Sequence, residues 1–255
     1  WDEKVKQIAA QHSLRQVFHI EAPIGFLGDP NGFSFFQGEW YLFHQWIPRK
    51  TKKKMVYWRG LTSKDLVHWK SLPMTIAPDT KFDSHGAYSG SAWVNQGQLE
   101  IFYTGNVRNQ ENEREAYQIR ATMDENGIKK ETTPAIMQPP AGYTMNFRDP
   151  KVWQHAGKTY AIIGTQTKDK AGRAIIYEAS TDLKTWQVKE VLQPFDHDLG
   201  YMWECPNFFE LDGSQVLIFC PQGATQKDLE YHTLFPNAFV IGPKWSGDGS
   251  EWKLK

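Results

Sequence analysis

Three acidic residues stand out by their surroundings. Asp29 lies in Gly28-Asp29-Pro30-Asn31-Gly32, Asp149 in Phe147-Arg148-Asp149-Pro150, and Glu204 in Trp203-Glu204-Cys205-Pro206-Asn207. Taken singly, each has an ordinary explanation. Asp-Pro and Asn-Gly are common turn dipeptides, and Arg148 beside Asp149 reads as a surface ion pair and a turn. Glu204 is the most unusual, because its neighbours are apolar and a buried lone carboxylate is costly unless partnered. Brought into one pocket, the three can exchange protons with a substrate or attack it. That convergence depends on the elements that carry them.

Those elements repeat. Hairpins of two apolar strands joined by a Gly turn start at Asp29, Ser89, Asp149 and Cys205, spaced 60, 60 and 56 residues apart. Their turns are Gln37-Gly38, Asn95-Gln96-Gly97, Ala156-Gly157 and Asp212-Gly213, which is ordinary hairpin chemistry. A second unit recurs between them: Ser63-Lys64-Asp65-Leu66-Val67-His68-Trp69 matches Ser180-Thr181-Asp182-Leu183-Lys184-Thr185-Trp186, with a fragment returning at Asp248-Gly249-Ser250-Glu251-Trp252. A fixed long period of short strands, about four per unit, predicts an all-β propeller. The innermost strand of each blade starts at a central funnel, so Asp29, Ser89, Asp149 and Glu204 converge on one axis. Four blade starts fit, and the chain is either a four-bladed ring or stops before its last blade.

Composition narrows the partners. The 255 residues carry 29 Lys+Arg and 29 Asp+Glu. This balance argues against nucleic acid, whose binders usually carry a basic excess. Aromatic residues make up 14%, with 11 Trp; they favour strands, and their flat faces also stack on sugars. Cys205 and Cys220 are too few for a disulfide framework. The first 16 residues are polar and mildly amphipathic, a possible short helix and not a signal peptide. No stretch approaches the ~20 apolar residues of a membrane span. The expectation is a cytoplasmic protein with no membrane partner.

The segments GDPNG (28–32), SGSA (89–92), FYTGN (102–106), FRDP (147–150) and WECPN (203–207), with TSKDLVHW (62–69), resemble glycoside hydrolase family 32, the invertase and β-fructofuranosidase family. The resemblance runs from about Val17 to Gly242. It implies a five-bladed propeller over 17–255, of which this chain holds four blades and part of the fifth, with the family's C-terminal β-sandwich absent. It implies a retaining hydrolase of sucrose 6-phosphate or sucrose, with Asp29 the nucleophile, Glu204 the general acid/base and Asp149 the transition-state stabiliser. Gly28, Asn31, Gln45, Trp58, Tyr88, Ser89 and Arg148 are the implied substrate contacts, and no metal or cofactor is required. Trp203 is expected to bury Glu204, and Arg148 to keep Asp149 ionised. Gly28 stands where the family usually has Asn, and Trp58-Arg59-Gly60 where it has Trp-Gly-His, which bears on the leaving group. The basic run Pro48-Arg49-Lys50-Thr51-Lys52-Lys53-Lys54 is a solvated loop or a cationic rim for a sugar phosphate. A fructan hydrolase, a fructosyltransferase and a non-catalytic sugar-binding propeller remain as alternatives.

Overall fold

The computed structural model describes residues 2–11, 14–16, 18–48, 55–124, 126–193, 199–226, 228–229, 232–233, 235–248 and 252. Among the described residues a helix, α1 (Asp2–Ala10), precedes fifteen strands. The strands form four antiparallel sheets in chain order. The first is β1 (Phe26–Phe36), β2 (Glu39–Ile47), β3 (Tyr57–Ser63) and β4 (Lys70–Ile76). The second is β5 (Ala87–Asn95), β6 (Gln98–Arg108), β7 (Arg114–Asp124) and β8 (Gly127–Lys130). The third is β9 (Tyr143–His155), β10 (Lys158–Thr167), β11 (Gly172–Ala179) and β12 (Trp186–Leu192). The fourth has three strands among the described residues, β13 (Met202–Leu211), β14 (Ser214–Gln222) and β15 (Ala238–Pro243). The first strands β1, β5, β9 and β13 pack side by side. Among the described residues the arrangement is a β-propeller with four blades. No helix among the described residues is long and apolar enough to cross a membrane.

The local signals do what the sequence leads one to expect. In all four blades the first hairpin turns on two residues with positive φ: Gln37-Gly38, Gln96-Gly97, Ala156-Gly157 and Asp212-Gly213. This geometry matches the right-handed twist of the flanking strands. The Ser-x-Asp-Leu-x-x-Trp units also fold alike. Leu66 and Leu183 both adopt left-handed backbone (φ 65° and 58°). The indoles of Trp69 and Trp186 each donate to that leucine's carbonyl, both at 3.1 Å. They link β3 to β4 and β11 to β12.

The core lies between blades. Successive side chains of a strand point to opposite faces, and here both faces meet a neighbouring sheet. On β6, Ile101 and Tyr103 pack with Phe43 and Trp58 of the first blade, whereas Phe102 packs with Phe147, Ile163 and Trp186 of the third. On β10, Tyr160 and Ile162 join Trp203, Phe208 and Leu217 of the fourth blade. This two-sided burial explains the unbroken apolar runs. The spacing is tight: a Cβ on Gly164 would stand 1.9 Å from the Trp203 carbonyl oxygen, and one on Gly172 would stand 2.4 Å from the Trp203 ring.

Candidate active site

The four first strands share one irregularity. Each carries a β-bulge, two residues opposite one, at the place where the blade starts: Gly28-Asp29 opposite Gln45, Tyr88-Ser89 opposite Thr104, Asp149-Pro150 opposite Ile163, and Cys205-Pro206 opposite Phe219. A bulge bends its strand and re-aims a side chain. Asp149 and Cys205 also take left-handed backbone, with φ 67° and 48°. Two of the bulges use the same latch. Asn31 donates its side-chain amide to the Asp29 carbonyl at 2.8 Å, and Asn207 does the same to Cys205 at 3.1 Å.

Asp29, Asp149 and Glu204 come together in one cleft of about 700 Å³, lined also by Gln45, Tyr88, Ser89, Arg114, Asn146, Arg148, Tyr201 and Cys205. Asp29 is exposed to it. Ser89 donates its hydroxyl to Asp29 Oδ2 at 3.0 Å, and Gln45 donates to Ser89 Oγ at 2.8 Å. Gly28 makes room for this relay, because a Cβ there would lie 2.9 Å from Gln45 Cβ.

The opposite wall is ionic. Arg148 donates to Glu204 Oε1 at 2.8 Å and lies 3.7 Å from Asp149 Oδ2. The Cys205 backbone N–H donates to Asp149 Oδ2 at 3.1 Å, and the Thr104 hydroxyl accepts from the Asp149 N–H at 3.0 Å. Burial pushes the Asp149 carboxyl up to about 6, outweighing the opposing pull of Arg148 and of the Cys205 N–H. Arg148 is shared with Glu204 and only partly offsets the desolvation of Asp149, and a carboxyl near 6 is still mostly ionised at pH 7. The expectation that Trp203 buries Glu204 is corrected. Trp203 and Glu204 alternate along β13, so the indole stacks on Phe219 in the core. The Glu204 side chain stays about a quarter exposed in the cleft.

Among the expected contacts, Gln45, Tyr88, Ser89 and Arg148 line the cleft. Trp58, expected to touch substrate, is fully buried and donates its indole N–H to the Tyr88 carbonyl at 2.9 Å. Trp58 pairs in register with Gln45 but one strand further from the axis, where the same face meets the neighbouring blade. Asn31 lies below the cleft, in an axial channel of about 200 Å³. Its amide is committed to backbone, accepting also from Gly90 N at 2.9 Å. The basic run at 49–54 lies outside the described residues. Sequence reasoning missed Arg114 and Asn146, which share a 3.0 Å hydrogen bond, and Tyr201. It also missed the buried Gln118, which accepts from Thr104 behind Asp149 at 2.8 Å. A polar pair inside the run Phe102-Tyr103-Thr104-Gly105-Asn106 was the available signal for Thr104. Among the described residues no group of three or more His, Cys, Asp or Glu is arranged to hold a metal ion.

Fold and site together define a β-propeller with an acid-lined axial cleft. The sequence model of the glycosyl hydrolases family 32 N-terminal domain matches residues 19–254. The chain is 41% identical over 247 residues to a sucrose-6-phosphate hydrolase of Bacillus subtilis, covering 94% of this chain and 50% of that protein. It is 44% identical over 234 residues to the one from Pediococcus pentosaceus, covering 91% and 46%. Among solved structures, sucrose-6-phosphate hydrolase from Lactobacillus gasseri superposes with a TM-score of 0.89 at 39% identity, covering 100% of this chain and 53% of that one. A mutant GH32 β-fructofuranosidase of Bombyx mori in complex with sucrose gives 0.87 at 31% identity, covering 100% and 54%. The chain belongs to glycoside hydrolase family 32. It spans about half the length of the curated relatives it matches.

Proposed function

We propose that this chain carries the catalytic cleft of a retaining β-fructofuranosidase acting on sucrose 6-phosphate or sucrose. The observation that carries this reading is the convergence of Asp29, Asp149 and Glu204, from the first strands of three blades, on one cleft. In the first step the Asp29 carboxylate attacks the fructose anomeric carbon. Glu204 protonates the departing glycosidic oxygen as its bond to that carbon breaks. In the second step Glu204 takes a proton from water, the water oxygen attacks the anomeric carbon, and the bond to Asp29 breaks. Asp149, mostly ionised at pH 7, stabilises the positive charge that develops on the ring in both steps.

The relay from Gln45 through Ser89 fixes Asp29 for attack. Arg148 ties Glu204 to Asp149, which keeps the acid/base and the stabiliser on one side of the ring. The phosphorylated substrate is the name given to the curated relatives. A phosphate dianion keeps a sugar from crossing a bilayer, so an enzyme acting on that ester works in the cytoplasm.

We also propose a fifth blade between the first and fourth. The first blade leaves Phe33 and Phe35 exposed, and the fourth leaves Phe209, Leu211, Phe239 and Ile241 exposed. Residues two apart share a strand face, so these form two apolar sheet faces of the kind that the other blades bury against each other.

The test is product analysis of the full-length protein on sucrose and on sucrose 6-phosphate side by side. Fructose with glucose or glucose 6-phosphate is expected. Long fructan products point to the transferase reading, and no turnover of either sugar overturns the hydrolase reading.

A further inference from the structure

The cleft contains two arginines in contrasting states. Arg148 is neutralised by Glu204 and Asp149. Arg114, at the start of β7, forms no ion pair among the described residues. Its Nη1 donates to the neutral Asn146 Oδ1 at 3.0 Å, and its guanidinium lies 5.9 Å over the Tyr88 ring. Burial lowers its pKa, and the charges of Arg148 and Arg108 lower it further, against opposing pulls from Tyr88 and Asp149. A half-buried cation repelled by its neighbour is costly without a counter-charge. Nothing in a neutral sugar supplies one.

The position of Arg114 is specific. Asn146 Oδ1 accepts from both arginines, at 3.0 Å from Arg114 and 3.3 Å from Arg148. Asn146 is itself held by a 2.9 Å bond to Gln166. The Arg114 fork is therefore fixed at one side of the cleft, one residue removed from the ion pair that holds Glu204. Glu204 is where the leaving oxygen sits in the proposed reaction, so Arg114 stands near the leaving sugar. An arginine fork matches the oxygens of a phosphate in a bidentate way.

We propose that Arg114 anchors a phosphate monoester on the leaving sugar of the substrate. The inference rests on the β-fructofuranosidase reading and deepens it: the phosphate would be recognised inside the cleft. The alternative that sequence reading offered, the basic run at 49–54, is then dispensable for that recognition. Because the guanidinium is partly withdrawn from solvent, its preference should survive added salt better than that of a rim of lysines.

The test measures kcat/KM of the full-length protein for sucrose 6-phosphate and for sucrose, in the wild type, Arg114→Gln and Arg114→Lys. A charge-assisted hydrogen bond contributes about 1.5–3 kcal/mol, so the ratio of the two values should fall roughly 10- to 100-fold in Arg114→Gln. Arg114→Lys should lie between. A general loss through Asn146 or poor folding cancels in that ratio. Competition by glucose 6-phosphate against glucose should lose its phosphate advantage in parallel. An unchanged ratio overturns the proposal and moves the phosphate elsewhere, the basic run included. A wild type that does not discriminate between the two substrates also overturns it. If the protein cleaves neither sugar yet binds glucose 6-phosphate over glucose through Arg114, the hydrolase reading fails and this one stands.

Discussion

Asp29 and Asp149 occupy corresponding places in the first and third blades, each at a bulge on the innermost strand. Asp29 is exposed and is held by a serine hydroxyl that a glutamine amide supports. Asp149 is buried, faces an arginine at 3.7 Å, accepts a backbone N–H and sits on left-handed backbone. One repeat geometry has thus given two carboxylates with opposite surroundings. On the first two blades Asp29 is held by neutral side chains and lies open to the cleft, as the proposed nucleophile requires. On the last two, Asp149 is buried and shares one arginine with Glu204, as the proposed stabiliser and acid/base require. The repeat sets position, and the residues one strand away set chemistry.

The largest effect should follow from breaking the open side. Asp29→Asn keeps the shape and the acceptor for Ser89 but cannot form the fructosyl ester, so turnover should drop by about 10³-fold or more. Near-normal turnover in a pure preparation would remove Asp29 from the role of nucleophile. On the ionic side, Glu204→Gln removes the proposed proton donor and should cost about 10²-fold or more on sucrose. An activated fructoside, which needs no protonation to leave, should be spared in its first step and accumulate intermediate. Equal losses on both substrates, without accumulation, count against the acid role.

The third prediction concerns pH. The Asp149 carboxyl is raised in the folded protein to about 6 from 3.8. The folded state therefore binds this proton more tightly than the unfolded chain. Its contribution to stability is present below pH 4 and is lost as pH rises to about 6, a change of about 3 kcal/mol. Asp149→Asn should remove this slope, so denaturant melts at pH 4, 5, 6 and 7 should show wild type losing stability against the variant as pH rises. The same ionisation should give the wild-type pH–rate profile an acid limb near 6. Parallel stability curves for the two proteins would show that Asp149 is not the group desolvated on folding.

The smallest effect should come from the relay. Ser89→Ala removes one hydrogen bond to the exposed Asp29 carboxylate, at the low end of the range for a charged acceptor, about 1.5 kcal/mol, so kcat should fall roughly 10-fold. A loss as large as that of Asp29→Asn would make the serine a reacting group.

The parts of this molecule that the sequence announces are those set by neighbours in the chain. Gln37-Gly38 and its three counterparts, and the two Ser-x-Asp-Leu-x-x-Trp units, carry their turn chemistry within a few residues. The three acids were legible because the repeat put them in register. Trp58 was misjudged because its burial depends on a facing blade 30 or more residues away. Arg114 was missed because it sits in Arg108-Asn109-Gln110-Glu111-Asn112-Glu113-Arg114-Glu115, which reads as a solvated charged loop. The raised Asp149 carboxyl sums desolvation from several strands against one arginine, and no short segment contains that balance.

Gly164 and Gly172 bear on how finely the reaction is set. Both lie on the third blade, and both face Trp203, the residue before Glu204, at distances that leave no room for a methyl group. At Gly164 bare backbone meets the Trp203 carbonyl, and at Gly172 it meets the Trp203 indole, so the strand that carries Glu204 is seated directly on the third blade. That seat is gauged by the thickness of a main chain, and one added carbon atom at either glycine would push the strand, with the carboxyl it carries, away from the third blade.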